Sequence, residues 1–188
     1  MSVEESDKVL KEISDSIMYL SDTIDDFQTY FQPQKEKSLI DANELIERAI
    51  NFLRPRMKNL EMQINYDNRH KVMIETYENE MVQVILNIIN NSIDAFMENR
   101  TQNAKIDINL EENEDSIVII IKDNAGGITK ENILKIFEPY FSTKGKNGTG
   151  LGLYMCQMIV EKQFKGEIKV SSSMDESTFK VEIAKQLS

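Results

Sequence analysis

The decapeptide Gly145–Tyr154, GKNGTGLGLY, holds four of the chain's seven glycines and runs straight into an apolar segment. Glycine reaches positive φ without a Cβ clash and lets ligand atoms approach the main chain. A helix starting directly behind such a stretch adds unpaired N–H groups, so the combination suits an anion, first of all a phosphate chain. A second glycine cluster, Asp123–Ile128 (DNAGGI), comes directly off an apolar strand. A carboxylate at a strand end, with the backbone turning sharply after it, can accept hydrogen bonds from a flat amino-bearing ring such as adenine. Taken alone, the same string is more often a tight turn with an Asx hydrogen bond. Between the two clusters, IFEPYFSTKGKNG (136–148) mixes aromatics, a proline and flexible polar residues. That suits a lid that brings Lys144 toward phosphates. A plain surface loop is the alternative, although its aromatic residues then need something to pack on.

Upstream, Asn87 and Asn91 lie four apart and Asp94 three further on, so they share one helical face, with Asn90 on its flank. Asparagine competes for nearby backbone groups, and a run of it inside a helix costs stability that something should offset. Mg2+ takes oxygen ligands and is commonly shared between one or two protein oxygens and substrate phosphates. An isolated pair of this kind more often belongs to a solvated face, and the two later glycine clusters are what strengthen the metal reading.

With 188 residues the chain has room for one domain with a real core plus an appendage. Hydrophobic residues make up 40% and charged ones 29%, as in soluble globular proteins. No apolar run approaches a membrane span, and no signal segment opens the chain, which places this segment in the cytoplasm without membrane contact and leaves room for an anchor in a longer parent. A lone cysteine, Cys156, cannot form an internal disulfide and fits a reducing compartment. It reads as a small buried apolar side chain, and the neighbouring Met155 and Met158, like Met97, read as core filler. The net charge of −10 works against nonspecific nucleic-acid binding.

Leu10, Ile13, Ile17, Leu20, Ile24, Phe27 and Phe31 recur in steps of three and four, the stripe of one long amphipathic helix. Its heptad spacing with acidic flanks predicts a coiled-coil or bundle seam, hence homodimerisation through residues 10–31; packing against its own domain is the alternative. QPQKEKS (32–38) reads as a linker after Pro33. Beyond it, DANELIERAINFLRPRM (41–57) has a helical start and spacing, EMQINYD and KVMIE read as strands around the turn DNRH, and Glu78–Asn99 is a second long helix. KIDINLEE and SIVIIIKD form an antiparallel pair. A short helix near Thr129–Ile136, a helix over about Leu151–Phe164 and a closing strand pair, GEIKVSSS with TFKVEIA, complete the chain. Long helices segregated from locally paired strands indicate an α+β fold, a two-layer α/β sandwich.

The order of the asparagine helix, DNAGGI, FEPYFSTK and GTGLGL resembles the catalytic ATP-binding domain of sensor histidine kinases from bacterial two-component systems, within the superfamily that also includes DNA gyrase and MutL. The resemblance runs from about Asp41 to the C-terminus and implies a mixed five-stranded sheet with three helices on one face. It implies ATP and Mg2+ as cofactors, with Asn91 as the metal ligand, Asn87 orienting the phosphates and Asp94 on the same nucleotide-facing side. Asp123 then accepts the adenine amino group, Gly127 shapes the loop beneath the ring, and Ile128 follows in the same motif. Phe137 holds the lid, Thr143 and Lys144 face the nucleotide with Lys144 reaching phosphate, and Gly148, Thr149, Gly150, Leu151, Gly152 and Leu153 cradle the triphosphate. Thr178 helps seat the adenine through water. Ala125 stands where many relatives have glycine, so this loop either avoids positive φ there or fits nucleotide differently.

The resemblance also divides the chain into residues 1–32, the second helix of a dimerisation and phosphoacceptor hairpin, a linker at 33–40 and the catalytic domain at 41–188. The hairpin's first helix, which carries the reactive histidine, is expected to lie outside this chain. His70, the only histidine, falls in a turn and is followed by Lys71, so it is no phosphoacceptor. The ATP-hydrolysing members of the superfamily have a glutamate one helical turn before the metal-binding asparagine, and here that residue is Asn87. An amide has no useful basicity, so water at this site lacks a general base. The γ-phosphoryl group then passes to the histidine on the hairpin, and from there to a response regulator receiver domain. Two other classes stay open: an anti-sigma-factor-type serine kinase, which resembles the hydrolases in keeping glutamate at that position, and a noncatalytic nucleotide-binding signalling module.

Overall fold

The computed structural model describes residues 36–58, 60, 62–67, 70–144 and 148–186. The heptad stripe over residues 10–31 and the first residues of the linker expected at 33–40, up to 35, lie outside them.

The first described element is a strand, β1 (Ser38–Asp41), inside the stretch expected to be linker. Asp41 ends it and opens helix α1 (Ala42–Lys58): its Oδ1 accepts from the Asn43 backbone N–H at 3.1 Å, satisfying a donor the helix start leaves bare, and from Val72 N at 3.1 Å. Strand β2 (Gln63–Tyr66) follows, then β3 (Met73–Thr76) and the long helix α2 (Glu78–Asn99). Glu78 and Glu80 in the first turn of α2 complement its dipole. At its far end Arg100 turns left-handed and donates its N–H to Phe96 O, closing the helix.

The antiparallel pair β4 (Lys105–Glu112) and β5 (Ser116–Asp123) comes next, then the short helix α3 (Lys130–Ile133), whose Thr129 hydroxyl accepts from Asn132 N. Helix α4 (Gly152–Met158) widens into one π-helical turn at Ile159–Gln163, closed by Phe164 N donating to Ile159 O at 3.2 Å. Strands β6 (Glu167–Ser172) and β7 (Ser177–Ala184) finish the fold.

The main sheet has the order β2-β4-β5-β7-β6 and is mixed: β2 runs parallel to β4, with Gln63 opposite Lys105, and the other neighbours are antiparallel. The small sheet pairs β1 with β3 antiparallel, Ser38 opposite Thr76. The two strands read around the turn DNRH do not pair with each other. They join different sheets, because β2 finds its partner about forty positions on and β3 finds its partner before α1. His70 lies in this connection, exposed, its carbonyl accepting from Asn43 Nδ2 at 2.8 Å, and is not on a helix.

Helix α2 is the hub. It packs against α1, α4 and β5, so apolar residues ring most of its length: Met81, Ile85, Ile88, Ile89, Ile93 and Phe96 are all buried. The sheet meets it with Ile106 and Ile108 of β4, alternate residues pointing inward, and Ile119 and Ile121 of β5. Each such side chain contributes about 1.5–3 kcal/mol by leaving water. The hub's rigidity matters because the polar face of the same helix carries the asparagines.

Candidate functional site

The apolar demands on α2 leave one stripe for polar groups, and that stripe faces a cavity of about 340 Å³. Asn87, Asn90, Asn91 and Asp94 line it from the helix, Ser142, Thr143 and Lys144 from the loop after Phe141, and Gly148, Thr149, Gly150 and Gly152 from the glycine-rich stretch. Side chains from distant elements converge here. Asn87 Nδ2 donates weakly to Gly152 O at 3.4 Å. Lys144 Nζ donates to Asn91 Oδ1 at 2.9 Å and to Asp94 Oδ2 at 2.5 Å. Arg56, reaching over from α1, donates to Asn90 Oδ1 at 2.6 Å and to Asp94 Oδ1.

A second cavity, about 280 Å³, adjoins the first and shares Asn91, Ile136, Phe141, Thr143, Lys144 and Leu153 with it. The two are the halves of one cleft. At the bottom of the second half lies Asp123, only 4% exposed, which ends β5. Its Oδ2 accepts from the Ser92 hydroxyl at 2.8 Å and its Oδ1 from Ala125 N at 3.0 Å. Burial raises the carboxyl's pKa above its ordinary value; those two hydrogen bonds pull it partly back, and the charge on Glu176 adds to the rise.

The loop after Asp123 is clamped on three sides. Asn99 Nδ2 donates to Ala125 O, Gly126 N to Asp175 O at 3.2 Å, and Ile128 N to Ser172 Oγ at 2.6 Å. Gly127 has φ +73, and a Cβ there would stand 2.0 Å from the Ser173 carbonyl oxygen, so the close approach of two backbones demands glycine. Ala125 is not among the left-handed residues, and it is buried. The loop thus avoids the conformation that alanine tolerates poorly.

Gly150 (φ +66) is also backbone-limited: a Cβ would meet Tyr140 C at 2.3 Å, and its carbonyl accepts from Tyr140 N at 2.9 Å. The aromatic loop and the glycine-rich loop are therefore latched main chain to main chain, with no side chain to spare between them.

Most of the residues expected from the sequence meet in this cleft: Asn87, Asn91, Asp94 and Lys144 with Gly148, Thr149, Gly150 and Gly152 in the first half, Asp123, Gly127 and Ile128 in the second, Thr143 and Leu153 on the shared wall. Three do not line it. Phe137 packs against the core, and Phe141 supplies the aromatic wall instead. Leu151 is absent from the lining. Thr178 points to the other side of β7, and its strand neighbours Ser177 and Phe179, both buried, take the wall by two-residue alternation. Ser177 stands opposite Asp123 in the register, a position that the strand pattern could have disclosed. Arg56 and Asn99 were missed for a different reason: nothing in their neighbours in sequence marks them.

Residues 76–187 match the family of histidine kinase-, DNA gyrase B- and HSP90-like ATPases. The chain belongs to this family. A probable C4-dicarboxylate sensor kinase from Halalkalibacterium halodurans is 36% identical over 108 residues, 57% of this chain but 20% of that protein, so the chain spans about a fifth of the curated relative. Among solved structures, the nucleotide-free catalytic domain of the histidine kinase ThkA superposes with a TM-score of 0.72 at 27% identity, covering 80% of this chain and 97% of that one. A structure of ThkA with the response regulator protein TrrA gives the same score at 23% identity, covering 98% and 53%, and shows the shared fold.

The cleft of this ATPase domain fits ATP. The half around Asp123 is partly apolar and closed at its end by a hydrogen-bond acceptor fixed by two donors, which suits a purine edge. The other half is polar and, among the described residues, holds two cations beside side chains rich in oxygen. Among the described residues no helix is long and apolar enough to cross a membrane.

Proposed function

We propose that this chain is the ATP-binding catalytic portion of a sensor histidine kinase, which transfers the γ-phosphoryl group of ATP to a histidine on a helical hairpin and so feeds a response regulator. The observation that carries the reading is the residue at Asn87. It lines the phosphate-side half of the cleft, one turn before Asn91, and its amide cannot take a proton from water. Among the described residues, no other carboxylate than Asp94 lines that half, and Asp94 is held between Arg56 and Lys144. A cleft without a free base protects the γ-phosphoryl group from hydrolysis until a better nucleophile arrives.

The roles divide along the cleft. Asp123 accepts the adenine amino group, and Gly127 lets the main chain pass beneath the ring. Asn91 supplies the oxygen that would hold Mg2+; its Oδ1 already accepts from a cation, the Lys144 ammonium. When bound, Mg2+ would neutralise phosphate charge as the γ-phosphoryl group departs. Asn87 orients the phosphates, Lys144 leaves Asn91 to donate to them, and Gly148, Gly150 and Gly152 keep Cβ atoms off the triphosphate. The proposal extends to residues 10–31 as the second helix of the hairpin and a dimer seam, with a catalytic domain that includes β1 from Ser38 and works in the cytoplasm. The names of the matched proteins, sensor kinases and a kinase bound to a response regulator, support the partner class.

Calorimetry with a non-hydrolysable ATP analogue and Mg2+ tests the first step, and a chain that takes up no analogue would rule the proposal out. The second step is tested with γ-labelled ATP and a separately supplied hairpin. Acid-labile label should appear on the hairpin and not on this chain. Label retained only as free phosphate would show a hydrolase.

A further inference from the structure

Asp94 sets a problem for a cleft that takes a triphosphate. Its carboxylate lines the phosphate half, where a bare negative charge repels the ligand. Lys144, the cation nearest Asn91, is engaged with that carboxylate and cannot serve phosphate while it stays there. When Lys144 leaves, Asp94 keeps a counter-charge among the described residues because Arg56 reaches it from α1 on the opposite side.

The guanidinium is well placed to stay. One nitrogen donates to Asn90 Oδ1 at 2.6 Å and the other to Asp94 Oδ1, so the rigid fork spans two residues four apart on α2. Asp94 and Lys144 expose only 29% and 26% of their side chains, too enclosed for solvent to replace a lost partner cheaply. Without Arg56, Lys144 is the counter-ion left to the carboxylate among the described residues and stays on it, and the half loses its pull on an anion.

We propose that Arg56 is the positioning residue of the triphosphate half: it neutralises Asp94 and so frees Lys144 to bind phosphate. The proposal rests on the nucleotide reading above. Arg56 itself lines this half, but its effect runs through Asp94, which gives it a signature that neither a direct phosphate contact nor a purely structural residue has.

The test is calorimetric titration of the full chain with two probes, a non-hydrolysable ATP analogue with Mg2+, and adenosine, whose contacts end in the Asp123 half. Arg56→Gln should raise the dissociation constant of the analogue about tenfold or more, as expected when a charged hydrogen-bond partner is lost, and leave that of adenosine unchanged. Adding Asp94→Asn to it removes the bare carboxylate and should restore analogue binding to within about twofold of Asp94→Asn alone. Unaltered analogue affinity in R56Q, an equal loss for adenosine, or a double variant as weak as R56Q would each overturn the proposal. Should R56Q fail to fold, the comparison of D94N with D94N/R56Q decides by itself: equal affinities support the proposal and a further loss overturns it. Failure of the unaltered chain to bind the analogue would remove the nucleotide reading itself, an outcome visible before any variant is made.

Discussion

Replacing Asp123 by asparagine should weaken nucleotide binding and stabilise the free domain, and the opposite signs follow from the same burial. Asparagine can keep the local bonds. Its Oδ1 takes the Ala125 N–H, and its amide nitrogen faces Ser92 Oγ, which can turn its own hydrogen toward Ile88 O, already 3.4 Å away. What changes is the group presented to the cleft, from an acceptor to a donor, opposite the adenine amino group, itself a donor. Loss of that buried bond and the donor clash should cost about 1–3 kcal/mol, roughly 5–150-fold in affinity. Stability moves the other way. The Asp123 carboxyl has a folded pKa raised above its unfolded value, so its contribution is full below the unfolded pKa and is lost as pH rises through the folded one. At neutral pH the buried charge therefore opposes folding, and a neutral amide removes that penalty. The measurements are urea denaturation of the free protein at pH 8 and near the ordinary aspartate pKa of 3.8, and calorimetry with the ATP analogue. D123N should gain stability relative to the unaltered chain at pH 8 more than at the acid end. Parallel loss of stability and affinity would show that Asp123 serves the fold alone, and unchanged affinity would show that it does not face the base.

Three further outcomes are expected. Gly127→Ala, forced to φ +73 with its Cβ 2.0 Å from a carbonyl oxygen, should lower unfolding stability by about 2 kcal/mol or more and weaken nucleotide binding with it; a melting temperature equal to that of the unaltered protein would contradict the backbone argument. Chelating Mg2+ should weaken analogue binding roughly tenfold or more, and Asn91→Ala should bind equally with and without the metal; persistent metal dependence in that variant would place the ion elsewhere. Cys156, fully buried with its thiol pushed up to about 12, should resist aromatic disulfide reagents at pH 8 until denaturant is added, and rapid labelling of the native protein would refute its burial.

Much of this protein is local and therefore legible along the chain. The apolar spacing in Glu78–Asn99 and the runs KIDINLEE and SIVIIIKD mark their elements to the residue, because helix and strand periods are written in consecutive side chains. The same holds for the glycines at 127 and 150, whose backbone demands no other residue meets without strain. Tertiary structure decided what lies between distant segments. It sent β2 and β3 to different sheets, added β1 to the small one, and put Ser177 and Phe179 on the cleft in place of Thr178. It also gathered Arg56, Asp94 and Lys144, residues 38 and 50 positions apart, into one charge cluster. Pairing and charge contacts of that kind depend on how faces dock in space, and a linear pattern carries the faces without their partners.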